Sequence, residues 1–196
     1  MLFEVSMKHS PAHSFLKLNT QQLTLIGLTT AVLCVLGPLA ITIPVSPVPL
    51  SLGTLGIYFV VTVLGTKPGV LSVLLYLMLG FAGLPIFTGF VGGPAKIFGP
   101  TGGYLLGYLF LAVICGVSAE KFRDRYALRV LGMCLGTGIC YLVGTLWLGY
   151  QLSLSFTEAF AIGVLPYLPW DLIKLLVGTA MGTKLRKYLL RANLIC

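Results

Sequence analysis

The sequence predicts an all-α integral membrane protein with six transmembrane helices. Three observations support this fold class. The 196 residues are 57% hydrophobic and only 9% charged, with a mean hydropathy of +0.99, whereas a soluble domain carries about 25% charged residues. Six apolar stretches follow one another along the chain, and the positive charges between them are distributed unevenly. Lipid is therefore the expected solvent for most of the surface.

The six stretches define the predicted helices, because a hydrocarbon core of about 30 Å requires roughly 17 to 25 apolar residues. They cover residues 23–43, 50–64, 69–84, 103–119, 130–148 and 168–181. The second and third are short, which favours tilted or buried helices and loops that dip into the protein.

Domain bounds follow from the same stretches. We expect residues 1–22 to form a polar tail or a surface helix, residues 23–189 to form the membrane domain, and residues 190–196 to form a second tail. A length of 196 residues is consistent with a single domain.

The positive charges predict the orientation. With both termini in the cytoplasm, eleven of the 13 Lys and Arg residues fall inside, Lys96 falls outside and Lys174 lies within a span. The eleven inside are Lys8, Lys17, Lys67, Lys121, Arg123, Arg125, Arg129, Lys184, Arg186, Lys187 and Arg191. The chain is therefore predicted to be a multi-pass protein of the cytoplasmic (inner) membrane. The segment EKFRDRYALR, residues 120–129, is then a solvated cytoplasmic turn, and the net charge of +8 does not require a nucleic-acid partner.

Two segments on the predicted outer side are too apolar for ordinary exposed loops. PVSPVPLSLGTLG, residues 44–56, contains three prolines that exclude a helix. LPIFTGFVGGPAKIFGPTGGY, residues 84–104, carries six glycines among Ile and Phe side chains. Irregular backbone near membrane depth is tolerated where protein or a water-filled cavity covers it. We expect the second segment to fold and line a pocket, with a flexible linker as the alternative.

Capping signals mark the last part of the chain. Ser155 and Glu158 have the spacing of a capping box, which predicts a short interfacial helix that begins near Phe156. Pro169 then suits a first helical position, and Asp171 falls in the first turn, where the helix dipole favours an anion.

The stretch PWDLIKLL places two opposite charges inside apolar sequence. Asp171 and Lys174 share one helix face, and Gly178 and Gly182 continue that face with the spacing of close helix packing. Inserting a charged side chain near the middle of a membrane costs about 2.5 to 3.5 kcal/mol. A charged residue at this depth is therefore treated first as a candidate functional residue. From the spacing alone, a ligand site and a self-satisfying ion pair are equally supported.

Enzymatic functions are disfavoured by the residue pattern. Both histidines, His9 and His13, lie in the polar tail, and the other acids are scattered over the tail and loops. The pattern therefore predicts neither a catalytic triad nor a metal site. No Gly-Lys pair or CxxC motif occurs, so neither a nucleotide site nor a cofactor is predicted, and the five cysteines are interpreted as packing residues. The pattern favours a small bundle with an outward-facing pocket for a small polar ligand that carries a carboxylate.

Four stretches together resemble the BioY family, the biotin-binding S components of energy-coupling factor (ECF) transporters. They are PVPLSLGTLG, LGFAGLPIFTG, GPTGGYLLGY and PWDLIK, and the resemblance runs over about residues 23–189. It implies an S-component-like bundle in membrane lipid that captures biotin from outside as a transported ligand. It also implies partnership with a membrane coupling subunit and two cytoplasmic ATPases, although members of the family also act without dedicated partners.

The resemblance implies ligand contacts residue by residue. Asp171 and Lys174 match the family's acid and lysine in the biotin pocket, and Gly103 and Tyr104 match the GPTGGY loop that lies against the ligand. Val91 falls where relatives often carry a polar residue.

Two further segments match the family with local departures. Gly53 and Thr54 match the proline loop, in which relatives often carry Gln in place of the glycine. Gly27 and Ala31 match an Ala-x-x-x-Ala face that docks the coupling subunit, whereas the residues alone favour packing within the bundle.

Two alternative functions stay open. One is an S component for a different vitamin. The other is a self-contained secondary transporter or channel, whose hallmarks would be inverted repeats and a coupling-ion site. A membrane enzyme ranks third, because His and acid clusters are missing from the sequence.

Overall fold

The computed structural model of the protein describes residues 20–41, 48–192 and 194, and this part of the chain forms eight helices and one two-stranded sheet. The helices are α1 (Thr20–Leu36), α2 (Gly53–Leu64), α3 (Thr66–Phe81), α4 (Pro94–Ile97), α5 (Gly102–Lys121), α6 (Tyr126–Leu152), α7 (Phe156–Gly163) and α8 (Leu168–Arg191). All six predicted helices are confirmed as α1, α2, α3, α5, α6 and α8. The short helix predicted near Phe156 is α7, and both halves of its capping box are formed.

Two boundaries differ from the prediction at the first loop. Helix α1 ends at Leu36 rather than at residue 43, because Gly37 is followed by Pro38, which disfavours helical backbone in the residue before it. Helix α2 begins at Gly53 rather than at residue 50, because Leu50–Ser51 (β2) pairs in antiparallel register with Ala40–Ile41 (β1). Prolines 44 and 47 lie outside the described residues, so the predicted course of the chain there stays a prediction.

The last helix is longer than predicted. Helix α8 continues to Arg191, ten residues beyond the expected end at residue 181. The extension is rich in Lys, Arg and Leu, which are good helix formers, so the helix outlasts its apolar stretch. The predicted N-terminal tail, with His9 and His13, lies almost wholly outside the described residues.

Helices α2 and α8 pack closely along their glycines, and α5 packs along α6. A Cβ atom on Gly178 would lie 2.9 Å from the carbonyl oxygen of Leu55, and one on Gly182 would lie 2.8 Å from Cβ of Thr62. Only a residue without a side chain permits this approach. The predicted packing role of the two glycines is therefore confirmed.

The outer surface of the bundle is apolar, as expected for a protein in lipid. Large side chains such as Leu28, Leu135 and Leu146 are more than half exposed. Among the described helices, α5 and α6 are long and apolar enough to cross a membrane, and α7 with α8, which meet at 54°, forms a third candidate. Helices α1, α2 and α3 are shorter apolar helices that pack within the same bundle. The fold is that of an all-α membrane protein.

The glycine-rich segment 84–104 is folded, as predicted, and is not a flexible linker. Phe87 is fully buried and meets Tyr76 edge-on, with 5.5 Å between the ring centroids. The Tyr76 hydroxyl donates a hydrogen bond to the carbonyl oxygen of Ile86 at 3.1 Å, and Phe87 forms a β-bridge with Val91. These contacts fix the segment against α3.

The turn between α5 and α6 is shorter than the predicted solvated segment 120–129. Residues Arg123, Asp124 and Arg125 are exposed, as expected. Arg129, however, already lies in the first turns of α6 and is only 5% exposed. The prediction of a solvated side chain is wrong for this residue, because the helix starts early enough to turn it into the bundle.

Candidate functional site

The start of α8 brings Asp171 and Lys174 into the protein. Pro169 lies in the first turn, where its missing N–H breaks no hydrogen bond. The N–H of Asp171 donates to the carbonyl oxygen of Tyr167 at 2.8 Å and holds the turn together. Asp171 is 6% exposed and Lys174 7% exposed. Both charges are therefore removed from solvent at one end of the bundle.

The two charges form an ion pair, with 2.7 Å between Lys174 Nζ and Asp171 Oδ1. The same carboxylate accepts hydrogen bonds from the Thr54 hydroxyl at 3.2 Å and from the Tyr141 hydroxyl. Lys174 also donates to the carbonyl oxygen of Ser51 at 2.6 Å. Buried charges are tolerated when they are paired and hydrogen-bonded in this way. The ion pair, one of the two predicted alternatives, is present, and it is compatible with a ligand site where it borders a cavity.

Ser51 fixes the backbone that receives Lys174. Its hydroxyl donates to the carbonyl oxygen of Gly37 at 3.0 Å and accepts from the N–H of Gly53 at 2.9 Å. Strand β2 is thereby tied to the end of α1 and the beginning of α2. The carbonyl oxygen of Ser51 consequently has a defined position opposite the ammonium group.

The Asp171 cavity, lined by residues of β2, α2, α5, α6 and α8, has a volume of about 60 Å³. Asp171, Lys174 and Thr54 supply its polar wall, and tyrosines supply much of the remainder. Tyr104 donates to the carbonyl oxygen of Gly163 at 3.1 Å, and Tyr167 donates to the carbonyl oxygen of Val48. The hydroxyls of these two tyrosines thus bind the backbone, whereas that of Tyr141 binds Asp171.

A second cavity of about 140 Å³, the side cavity, lies between α6 and α8. Its walls include Cys134, Gly138 and Leu172, and it shares Tyr141 and Asp171 with the Asp171 cavity. Tyr141 and Asp171, which share a hydrogen bond, thus line both spaces.

Four of the seven predicted ligand residues meet in the Asp171 cavity: Asp171, Lys174, Tyr104 and Thr54. The other three are placed behind or away from the cavity wall, and their contact with a ligand stays a prediction. Gly53 lies behind the wall, where a Cβ atom would be 3.3 Å from the Tyr108 hydroxyl oxygen.

Gly103 and Val91 lie farther from the polar wall. Gly103 packs against Trp147 of α6 so closely that a Cβ atom would overlap the tryptophan. Val91 is 44% exposed in its β-bridge. The predicted docking residues Gly27 and Ala31 are both exposed on α1.

Three tyrosines and Ser51 were missed by the sequence interpretation. Tyr167 precedes Asp171 by four residues, so helical spacing would have indicated a shared face. Tyr141 and Tyr108 lie in the middle of apolar helices, where the sequence does not distinguish a core aromatic residue from a pocket residue. The role of Ser51 depends on its main-chain carbonyl, which has no sequence signal.

Comparison with known proteins identifies a family with this sequence. The sequence model of the BioY family matches residues 7–191. The chain belongs to the BioY family. It is 36% identical over 171 residues to the biotin transporter BioY2 of Lactococcus lactis subsp. cremoris (strain MG1363), a match that covers 87% of this chain and 93% of that protein. It is 38% identical over 167 residues to the biotin transporter BioY of Thermotoga maritima, a match that covers 85% of this chain and 96% of that protein.

A solved structure supports the same family assignment. The crystal structure at 2.1 Å of the S-component for biotin from an ECF-type ABC transporter superposes with a TM-score of 0.79 and 32% sequence identity. The match covers 85% of this BioY chain and 91% of that chain. The resemblance read from the sequence motifs is therefore confirmed, and the protein falls in a class of transporter components rather than enzymes.

Proposed function

We propose that this BioY protein captures biotin in the Asp171 cavity and acts as the substrate-binding component of an ECF-type transporter. The observation that carries the proposal is the buried Asp171–Lys174 pair on the wall of a cavity. Membership of a family whose relatives are named biotin transporters supports the choice of ligand. Biotin is then a transported substrate and not a cofactor.

The chemistry of the pair suits biotin. The ureido ring of biotin offers N–H donors and a carbonyl acceptor, and its side chain ends in a carboxylate. Asp171 can accept from the ureido N–H groups, and Lys174 can donate to the carbonyl or the carboxylate oxygen. Because Asp171 already accepts from Lys174, Thr54 and Tyr141, biotin must replace some of these contacts. Biotin binding thus exchanges hydrogen bonds within the protein for hydrogen bonds to the ligand.

The size of the cavity adds a requirement. A volume of about 60 Å³ is too small for the whole of biotin, which has two fused rings and an acidic side chain. The cavity as it stands receives part of the molecule, and enclosing all of it requires side chains of the wall to move. Tyr141 is a candidate for such movement, because it also lines the side cavity.

The identity of the ligand can be tested by purification in detergent without added vitamin, followed by mass spectrometry of the small molecules released on denaturation. We expect biotin. A different vitamin would overturn the ligand assignment, while the family assignment would stand.

A titration of the ligand-free protein with biotin tests whether binding depends on ATP or on ions. Binding is expected to proceed equally well with and without ATP, metal ions or sodium. A requirement for sodium would favour a self-contained secondary transporter.

The proposed location is the cytoplasmic membrane, with both termini in the cytoplasm and the Asp171 cavity on the outer side. The bias of eleven among 13 positive charges toward one side supports this orientation. A protease-cleavable tag on the C-terminus should be cut in inside-out vesicles and protected in right-side-out vesicles. The reverse pattern would contradict the orientation.

The proposed partners are a membrane coupling subunit and two cytoplasmic ATPases, with Gly27 and Ala31 on the docking face. Both residues are exposed, and a Cβ atom on Gly27 would have no neighbour within 4 Å. Packing within the bundle, the alternative role for these small residues, receives no support from this placement. An exposed small residue allows another helix to approach closely.

Substitution of the docking face tests the partnership. Gly27→Leu or Ala31→Leu is expected to abolish biotin uptake in cells that express an ECF module and to leave biotin affinity unchanged. Ala180→Leu, at an exposed position of α8, is the matched control and should retain uptake. Equal uptake by all three variants would contradict the docking assignment.

A further inference from the structure

A second group of charges, of which Arg129 is buried and Arg186 half-buried, lies towards the opposite end of α8 from Asp171. We call it the basic end and define it by Arg123, Arg129 and Arg186. Arg129 is 5% exposed, and its Nε atom has no hydrogen-bond partner among the described residues. Its guanidinium stands 5.3 Å from the ring centroid of Tyr126, which compensates only part of the charge. A buried cation of this kind is costly unless an anion accompanies it.

Arg186 is in a similar state. One of its Nη atoms donates to the carbonyl oxygens of Thr62 and Val63, at 3.2 and 3.3 Å, and thereby caps the end of α2. Its Nε atom is buried without a partner in the described part of the chain. The charges of Arg123 and Arg129 oppose that of Arg186, while that of Glu120 favours it. Arg186 thus lies near two like charges and a single carboxylate, and it forms no ion pair with a described residue.

No acidic side chain of the described residues forms an ion pair with these guanidinium groups. Glu120 directs both carboxylate oxygens to Thr66, accepting from its N–H at 2.8 Å and from its hydroxyl at 2.7 Å. Asp124 is exposed and makes no ion pair with a described residue. Asp171 and Glu158 are engaged at the other end of the bundle. Glu4, which precedes the described residues, is the remaining acidic side chain of the sequence.

The backbone adds donors at the same place. Helix α6 begins at Tyr126 with no acidic residue in its first turn and no side chain that caps its N–H groups. The N-terminus of a 27-residue helix carries a partial positive charge and binds anions, phosphate in particular. Arg129 thus increases the positive potential of a helix end that already favours an anion.

The level of the basic end in the membrane points to a lipid. Tyr126 and Tyr188, both largely exposed, flank Arg129 and Arg186 in sequence on α6 and α8, and tyrosines are enriched at the headgroup level of a bilayer. Basic pockets between helices are known to bind anionic headgroups.

We infer that the basic end binds the headgroup phosphate of an anionic phospholipid, held by Arg129 at the first turn of α6, with Arg186 and Arg123 beside it. The lipid supplies an anion for Arg129, which forms no ion pair with a described residue. The site is separate from the Asp171 cavity and is expected to stabilise the protein without contacting biotin.

The test uses the full-length protein in lipid-free detergent and measures its melting temperature as phosphatidylglycerol is added. The wild type is expected to gain about 5 °C, and phosphatidylcholine or inorganic phosphate is expected to give less than half of that shift. Arg129→Met is expected to melt at or above the wild-type temperature without lipid, because an unpaired buried charge has been removed, and to lose the response to phosphatidylglycerol. Biotin affinity should be unchanged.

Several outcomes would overturn the inference. An undiminished lipid response in Arg129→Met would do so, as would an equal shift with inorganic phosphate alone, which would identify a site for free phosphate. A wild type without a response to phosphatidylglycerol, together with a response gained in Glu4→Gln, would make the Glu4 carboxylate the occupant instead of a lipid.

A second pair of variants keeps the test available if Arg129→Met fails to fold. Arg123→Gln and Arg125→Gln are both exposed changes in the same turn, but only Arg123 acts on Arg186. Arg123→Gln is expected to weaken retention of phosphatidylglycerol about fivefold, as measured by native mass spectrometry, while Arg125→Gln is not. Equal retention in the two variants would contradict the site.

Discussion

At one end of α8, the carboxylate of Asp171 accepts hydrogen bonds from Lys174, Thr54 and Tyr141. At the other end, the guanidinium groups of Arg129 and Arg186 each keep a buried Nε atom without a partner in the described part of the protein. Both ends remove charge from water, yet only at the first is the buried charge paired within the described residues. The bundle therefore carries a compensated charge cluster at one end and an incompletely compensated one at the other.

The difference shows how each end can be used. A compensated pair is stable without a ligand and can exchange its own hydrogen bonds for those of biotin, so the site exists before biotin arrives. An uncompensated cluster is satisfied from outside, by the anion we infer to be a phospholipid headgroup. Substitutions should therefore have opposite effects at the two ends.

The largest expected contrast is between Lys174→Met and Arg129→Met. Lys174→Met leaves the Asp171 carboxylate buried without its cation and should lower the free energy of unfolding by about 3 to 5 kcal/mol. Arg129→Met removes a charge that has no partner and should not lower it in lipid-free detergent. Thermal unfolding of the two variants and of the wild type measures this difference in stability. A similar loss of stability in both variants would show that the two ends are equivalent.

A smaller effect is expected from Tyr141→Phe. The change removes one hydrogen bond to a charged acceptor, worth about 1.5 to 3 kcal/mol, from a side chain that lines both the Asp171 cavity and the side cavity. We expect both the biotin affinity and the melting temperature to be lower than those of the wild type. Tyr150→Phe, at a position that is 84% exposed, is the control and should match wild type in both measurements. If Tyr141→Phe also matches wild type, Tyr141 does not support the pair.

The smallest effect is expected at Thr54. Its hydroxyl lies 3.2 Å from Asp171 Oδ1, a long bond to an acceptor with shorter alternatives. Thr54→Val should weaken biotin binding by less than tenfold, since a typical net hydrogen bond contributes about 0.5 to 1.5 kcal/mol. Thr54→Ser retains the hydroxyl and should bind biotin like wild type, as checked by titration calorimetry. A loss of biotin affinity in Thr54→Val that is larger than the loss in Tyr141→Phe would show that Thr54 contributes more to the cavity than Tyr141.

Much of the fold could be predicted from the sequence because its signals are local. Apolar stretches located the six helices, the Ser155–Glu158 spacing located α7, and the Gly178–Gly182 spacing predicted the contact with α2. The end of α1 was placed too late, since hydropathy continues past Pro38 although helical backbone does not.

The candidate site was predictable only in part. Asp171 and Lys174 stand out because charge is rare in apolar sequence, and their three-residue spacing fixes a shared face. Tyr141 reaches Asp171 across 30 residues of sequence, and Ser51 contributes a carbonyl oxygen across 123. Such contacts depend on how helices pack, which no local pattern specifies. The buried position of Arg129 was missed for the same reason.

The central claim is that the Asp171–Lys174 pair binds biotin and is more than an internal ion pair. The most direct test is a double-mutant cycle on biotin affinity with Asp171→Asn, Lys174→Met and the double variant. We predict that each single change weakens binding about 100-fold or more, as expected for loss of a charged hydrogen-bonding group. The double variant should regain stability without regaining affinity. Recovery of near wild-type affinity in the double variant would contradict the claim and leave the pair as a structural element alone.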